Sequence, residues 1–311
     1  ATAETRNGMP YRELGGTGER VSLLCVGGYH IGMHHVSEKK AIEIMRAAVD
    51  EGVNFFDNAW HYHGGRSEER MGKALKDGYR DKVFLMTKHH GRDRKVAEEH
   101  MHESLRRFDV DVIDLWQFHE VTAPDTPQKI YESGVLDFCL EAQQQGKIRY
   151  IGFTGHFLPF VLADMVDRGF AWDALQMPLS VSDAHYRSFE QEVLPKAVEK
   201  NIGVLAMKAL GGSPGAIPNV SRTCTVEECL HYAMSLPVAS VVSGMETMEK
   251  LQQNIAAAKN FKPLGADARA ELLARTREAA LTGKLEPHKS AWHRNVWNMY
   301  EDEIRRRGVG A

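Results

Sequence analysis

The sequence predicts an α/β fold, a closed (β/α)8 TIM barrel preceded by a β-hairpin and followed by extra C-terminal helices. Three observations predict it. Eight short apolar runs alternate with eight amphipathic runs over roughly 250 residues, the repeat of a closed parallel barrel. The apolar runs are dense in Val, Ile, Leu, Phe and Met, as strands buried on both faces are. No linker or low-complexity stretch divides the 311 residues, so one domain over 1–311 is expected, with the barrel about 23–260 and a helix and tail at 261–311.

Strands are expected at 23–29, 54–60, 83–89, 112–120, 148–156, 174–181, 203–210 and 240–245. Helices are expected at 37–51, 67–76, 95–108, 130–145, 159–168, 189–201, 225–236 and 247–260. The first shows the logic. Ala41, Ile42, Ile44, Met45, Ala48 and Val49 form one apolar stripe, Ser37 offers an N-cap, and Gly52 stops the helix. Gly169, Gly203 and Gln145-Gly146 mark returns from helix to strand. Residues 10–22 read as a hairpin ahead of the first barrel strand, and 267–281 as an extra helix after the last. The tail carries Trp292, His293, Trp297 and Tyr300; Trp292 and Trp297 either cover the barrel mouth or dock the final helix.

Charge and composition exclude several classes of function. A formal net charge of −3 leaves no electrostatic footprint for nucleic acid or an anionic membrane, and Arg305-Arg306-Arg307 is offset by Glu301, Asp302 and Glu303. No apolar stretch approaches the ~20 residues of a membrane helix. Cys25, Cys139, Cys224 and Cys229 form no CxxC pair, so neither a disulfide framework nor a zinc site is expected. The first residues contain no apolar signal core, and their small side chains fit a processed end or a lost initiator Met equally. A cytoplasmic location is expected, with an exported mature form left open. Neither a phosphate-binding Walker motif nor a GxSxG elbow is found.

In such a barrel the chemistry belongs at the C-terminal ends of the strands. The second strand runs out through Asp57, Trp60 and Tyr62, the third ends at Lys88, and the fourth ends at His119. A carboxylate, a phenol, an amine and an imidazole therefore share one mouth. Reducing a carbonyl by hydride requires a proton for the oxygen. A Tyr phenol can give it, a nearby Lys ammonium lowers the phenol's pKa, an Asp holds the Lys, and a His polarises the carbonyl.

Phe56-Asp57-Asn58-Ala59-(x)2-Tyr62-(x)4-Ser67-Glu68, followed by Lys88 and His119, is similar to the signature of the aldo-keto reductase family. The resemblance runs from the hairpin near Tyr11 to about Asn260 and implies a catalytic set of Asp57, Tyr62, Lys88 and His119, with Tyr62 the general acid. It also implies an extended nicotinamide cofactor across the mouth, NADP(H) in preference to NAD(H). Gly27, Gly28 and Tyr29 would line the nicotinamide end, Thr154, Gly155 and Gln176 would hold the carboxamide, and Met207, Lys208, Ala209, Leu210 and Gly211 would meet the ring and pyrophosphate. Gly244, Met245 and Thr247 lead into a helix N-terminus suited to phosphate, with Lys250, Gln253 and Asn254 at family positions for the 2′-phosphate and adenine. This chain departs from the family pattern at Gly155, where many members have Asn, and at Met207, where an aromatic often stacks. It departs again at Glu246, which would repel a 2′-phosphate.

Histidine is abundant, fifteen in all. His30, His63, His89 and His156 follow or end strands on the mouth side and are expected to line a polar substrate pocket, with Trp60 either its wall or core packing. No carboxylate or Cys completes a ligand set around His61, His63, His89 and His119, so no metal is expected. The expected function is NAD(P)H-dependent hydride transfer to or from a small carbonyl or alcohol, such as an aldehyde, ketone or sugar. The alternative is a nicotinamide-binding sensor of the same fold with little catalysis.

Overall fold

The computed structural model describes residues 4–212 and 215–309. The first three residues, part of the terminus considered above, lie outside them. Three short antiparallel strands, β1 (Thr5–Arg6), β2 (Met9–Glu13) and β3 (Arg20–Ser22), form the N-terminal sheet. The barrel is closed by eight parallel strands: β4 (Leu24–Gly27), β5 (Phe55–Asp57), β6 (Phe84–His89), β7 (Ile113–Phe118), β8 (Ile148–Thr154), β9 (Ala174–Pro178), β10 (Gly203–Met207) and β11 (Ser240–Gly244). Neighbours pair in sequence order, and β11 returns to β4 to close the ring.

The expected barrel is present, and every strand except β6, which ends at His89 as expected, stops short of its expected C-terminal end. Backbone bonds still stitch those ends together, Asn58 to Met86, Trp60 to Lys88 and His119 to His89, but the chain leaves the barrel wall there and becomes loop. Those loops carry Tyr62 and His119.

The interior is plugged by Leu14, Val21, Cys25, Phe55, Phe84, Met86, Leu115, Ala174 and Leu205. Leu14 and Gly15 come from the hairpin, which seals the end of the barrel opposite the catalytic mouth. A larger apolar layer fills the space between strands and helices. Three helices matter most for the site: α1 (Glu38–Asp50), α2 (Arg66–Ala74) and α3 (Arg94–Phe108). Ser37 caps α1 through the Lys40 amide, as its position in the sequence implies.

Two expected helices are split. The 130–145 run is divided into Thr126–Glu132 and Val135–Gln144 by Gly134, whose φ of 76° cannot continue a helix. The 189–201 run is divided into Phe189–Glu192 and Leu194–Glu199, where Pro195 starts the second piece. The extra helix runs Ala266–Ala280. The tail beyond it folds back on the barrel, and the two tryptophans separate: Trp292 meets the Lys208 ammonium at the mouth, while Trp297 packs on Arg187.

Candidate active site

The site is built from the back forward. Glu68 on α2 is completely buried and accepts hydrogen bonds from Thr87 of β6 (2.7 Å) and from Ser104 (2.8 Å) and Arg107 (3.1 Å) of α3. Arg107 also donates to the Trp60 carbonyl at 2.7 Å. One buried carboxylate thus fixes α2 against β6 and α3, and through Arg107 it fixes the start of the turn that bears Tyr62. The turn, Tyr62–Gly65, ends on Gly65 at φ 93°, and a Cβ there would fall 2.6 Å from the Arg107 guanidinium. Only glycine meets both demands. Ser67 donates to the Gly28 carbonyl (2.6 Å) and Arg70 to that of Ile31 (2.6 Å), holding the loop after β4 in the same frame.

On this frame the four residues singled out in the sequence converge. Lys88, almost fully buried, donates to Asp57 Oδ1 and to the Asn58 carbonyl (2.7 Å), and its Nζ lies 5.2 Å from the centre of the Tyr62 ring. Gln176 donates to the second Asp57 oxygen at 3.2 Å, and Gln117 donates to Gln176 at 3.4 Å. The Tyr62 and His119 rings stand 5.8 Å apart, and Tyr29 meets Tyr62 edge-on at 5.3 Å.

The electrostatics differ from the sequence expectation at one point. Lys88 gives hydrogen bonds to Asp57 and a carbonyl, and its charge, 5.2 Å from the Tyr62 ring centre, does not offset the burial of the phenol. The dense protein around Tyr62 raises its pKa well above the ordinary value, helped by the charges of Asp57 and Glu120. The phenol is therefore held protonated. Burial also raises the Asp57 carboxyl, an effect opposed by Lys88 and Gln176. His119 is pushed down by burial and then by Lys88, so it stands as a neutral imidazole.

The other expected pocket residues divide. His30 packs against Gly244, where a Cβ would meet its ring. His63 hydrogen-bonds the Tyr29 carbonyl (2.8 Å) and meets its ring at a 43° tilt, 4.7 Å between centres. His156 meets His293 of the tail at 3.1 Å. These three stand around the mouth. His89 does not: it is fully buried and stacked at 3.7 Å on Trp116, because the alternation along β6 turns it outward when Lys88 points in. Trp60 also turns away, stacking on His100 at 3.6 Å and donating to Glu103 at 2.6 Å, so it is packing against α3 and not a pocket wall.

Three histidines meet at the mouth: His61, His90 and His119 each bring a ring nitrogen within 4.8 Å of the others. The sequence reading weighed His61 and His119 with His63 and His89 and passed over His90; only the backbone path after β6 reveals the exchange. Lys208, also unassigned a catalytic part, has its ammonium pushed down to about 8 by burial.

Several of the expected cofactor residues have defined places in the fold. Thr154 and Gln176 are buried beside the Asp57 pair, Tyr29 is exposed at the mouth, and Gly211 takes a φ of 78° in the turn after β10. Thr247 caps a twelve-residue helix, Met248–Lys259, whose first turn faces the end of β11. Lys250 at that helix start is ion-paired with Glu246. Asn254 is turned inward, its amide given to Ser243 at 2.8 Å, which binds the helix to β11. Two surface grooves lie away from this mouth, one beside Tyr186 and Gln191, the other at the opposite end of the barrel beside Arg80 and Asp114. Neither is lined by any of the four convergent residues.

Known proteins resemble the chain along most of its length. It is 33% identical over 232 residues to an uncharacterized oxidoreductase, YrpG, of Bacillus subtilis (strain 168), covering 66% of this chain and 67% of that protein. It is 27% identical over 296 residues to an L-galactose dehydrogenase of Arabidopsis thaliana, covering 82% and 90%. The fold matches the holo form of an aldo-keto reductase from Bacillus halodurans with a TM-score of 0.73, at 24% identity and over 86% of this chain and 96% of that one. Residues 23–224 match the model of the aldo/keto reductase family, and the chain belongs to that family.

Proposed function

We propose that the protein reduces a small carbonyl compound, or oxidises the matching alcohol, using a nicotinamide cofactor, with Tyr62 moving the proton. The single observation that carries this reading is the convergence of Tyr62, His119 and the buried Lys88–Asp57 pair at one barrel mouth. The nicotinamide, when bound, supplies or takes the hydride. The rest is done by the chain. Tyr62, protonated at neutral pH, gives its proton to the carbonyl oxygen as charge develops there. His119, neutral and fixed by burial, donates a hydrogen bond to the same oxygen. Asp57 holds the Lys88 ammonium against the far side of the Tyr62 ring, where its charge favours the phenolate left after transfer.

The rim fits an extended dinucleotide: an exposed aromatic at Tyr29, a left-handed glycine at Gly211, and a capped helix start at Thr247. Gly27, Gly28, Thr154, Gly155 and Gln176 belong to its nicotinamide end, Met207, Lys208, Ala209 and Leu210 to its middle, and Gly244, Met245, Lys250 and Gln253 to its far end. NADP(H) is preferred to NAD(H), with Lys250 as the phosphate's partner. Since Glu246 already holds Lys250, that partner is half-spent. Glu246→Gln should therefore tighten NADPH binding several-fold, by about 1 kcal/mol, and leave NADH nearly unchanged. Fluorescence titration with the two cofactors checks this.

A hydroxylated carbonyl, of the sugar or polyol class, suits a mouth ringed by His61, His63, His90, His119 and His156, and one relative is an L-galactose dehydrogenase. The reading is tested by following NADPH and NADH absorbance against aldehydes, ketones and sugars. Tyr62→Phe should cut turnover by about 10²–10⁴ and spare cofactor binding; unchanged turnover would remove Tyr62 from the chemistry.

A further inference from the structure

His61, His90 and His119 come from three different strand ends, and the proton and hydride transfer proposed above uses only the last. One ring nitrogen of each lies within 4.8 Å of the others. Their ring centres are 4.6 Å (His61 to His90), 4.9 Å (His61 to His119) and 4.9 Å (His90 to His119) apart. His119 is 6% exposed, and its Nδ1, like that of His61, is buried without a hydrogen-bond partner. Both nitrogens therefore have lone-pair or N–H capacity that no protein group uses.

The surroundings favour a cation. Glu120 places Oε2 3.2 Å from His90 Nε2, and Oε1 lies 4.0 Å from His156. A carboxylate behind an imidazole is the usual outer support of a metal-ligating histidine. Of the cations around the cluster, Lys88 is paired with Asp57, and Arg92 gives its guanidinium to the carbonyls of His119 and Glu120.

We propose that His61, His90 and His119 bind a divalent transition-metal ion of the Zn²⁺ type, with Glu120 supporting His90. Three nitrogen ligands leave a fourth position open, as in metal centres that also take water or a substrate oxygen. Because His61 lies 5.0 Å and His119 5.8 Å from Tyr62, ring centre to ring centre, the ion occupies the space in which a carbonyl would meet the phenol. Binding of the ion therefore excludes the carbonyl and leaves the cofactor in place. This consequence rests on the proposed reductase reading; the binding does not.

The test separates the two. Protein stripped with a chelator and then dialysed is titrated with Co²⁺, and the visible d–d absorption is read. One equivalent of low-symmetry Co²⁺ is expected in the wild type, with affinity at least about tenfold weaker in His61→Ala and in His90→Ala, and unchanged in His35→Ala, a surface control. His61→Gln and His90→Gln, with far-UV circular dichroism, guard against misfolding of either variant. Absence of the band, or binding indifferent to both substitutions, overturns the site. In the second arm Zn²⁺ should raise the KM for the carbonyl at least about tenfold in the wild type without displacing NADPH, and the effect should vanish in His61→Ala. Inhibition that persists in both variants overturns the placement beside Tyr62. If no carbonyl is reduced at all, the cobalt arm still reports on the metal.

Discussion

Lys88 and Lys289 are both buried, and they are put to opposite uses. Lys289, in the tail, is fully enclosed and bonded to Asp183, Glu286 (3.0 Å) and the Tyr186 carbonyl (2.9 Å). Glu286 is met in turn by Ser180 (3.3 Å). Every direction from that ammonium ends on a bonded oxygen, so the network holds the tail to the barrel and does nothing else. Lys88 has one carboxylate and one carbonyl, and the π face of Tyr62 completes its surroundings. A buried charge with two oxygens and a ring is less completely compensated than one with three. That shortfall is what makes Lys88 useful: the charge remains available to a phenolate.

The comparison can be broken most severely at Lys88. Lys88→Met should lower kcat by about 10²–10⁴ while leaving cofactor affinity within a few-fold, as single-turnover and binding measurements will show. Lys289→Met should do the reverse. It strands two buried carboxylates, so about 3–5 kcal/mol of stability and roughly 5–15 °C in Tm should be lost, while the shape of the pH–rate profile is retained. A Lys289 variant with normal Tm would mean that the tail network is not a strut.

Acid provides a third and broader test. His61 is pushed down to about 4, and His89, His119, His156 and His288 are pushed well down too, all chiefly by burial. The unfolded chain takes up protons at these imidazoles below about pH 6.5 and the folded chain does not, so their contribution is complete above that pH and is lost as pH falls towards 4. Tm should drop by about 5 °C or more between pH 7 and pH 5 in differential scanning calorimetry. Glu286 acts oppositely. Burial raises its carboxyl to about 7, so the folded protein holds that proton more firmly, and its contribution is present at low pH and disappears as pH rises through 7. The smallest expected effect follows: Glu286→Gln removes this counterweight and should steepen the acid loss by a few degrees.

The sequence carried the barrel and the four reactive residues well, because both follow local rules. Strand–helix alternation is a period, and Asp57, Tyr62, Lys88 and His119 each end or follow a strand. What it concealed are pairings between distant segments. Nothing local tells that Lys289 will meet Asp183, or that His90 rather than His89 will face the mouth. The second case turns on which of two adjacent side chains points inward, and strand register decides that. Gly134 and Pro195 split two expected helices because the apolar spacing continues across them, and a period is blind to one forbidden torsion.

Glu68 has a consequence for how this protein can change over time. It lies behind the reactive face, and its three donors span a strand and a neighbouring helix. On the proposed mechanism, the alignment of Tyr62 is thus entrusted to groups set behind it. The loops in front are released from that duty, so new side chains can be tried at the mouth, for a different substrate, without moving Tyr62. A single concealed carboxylate separates what the enzyme does from what it does it to.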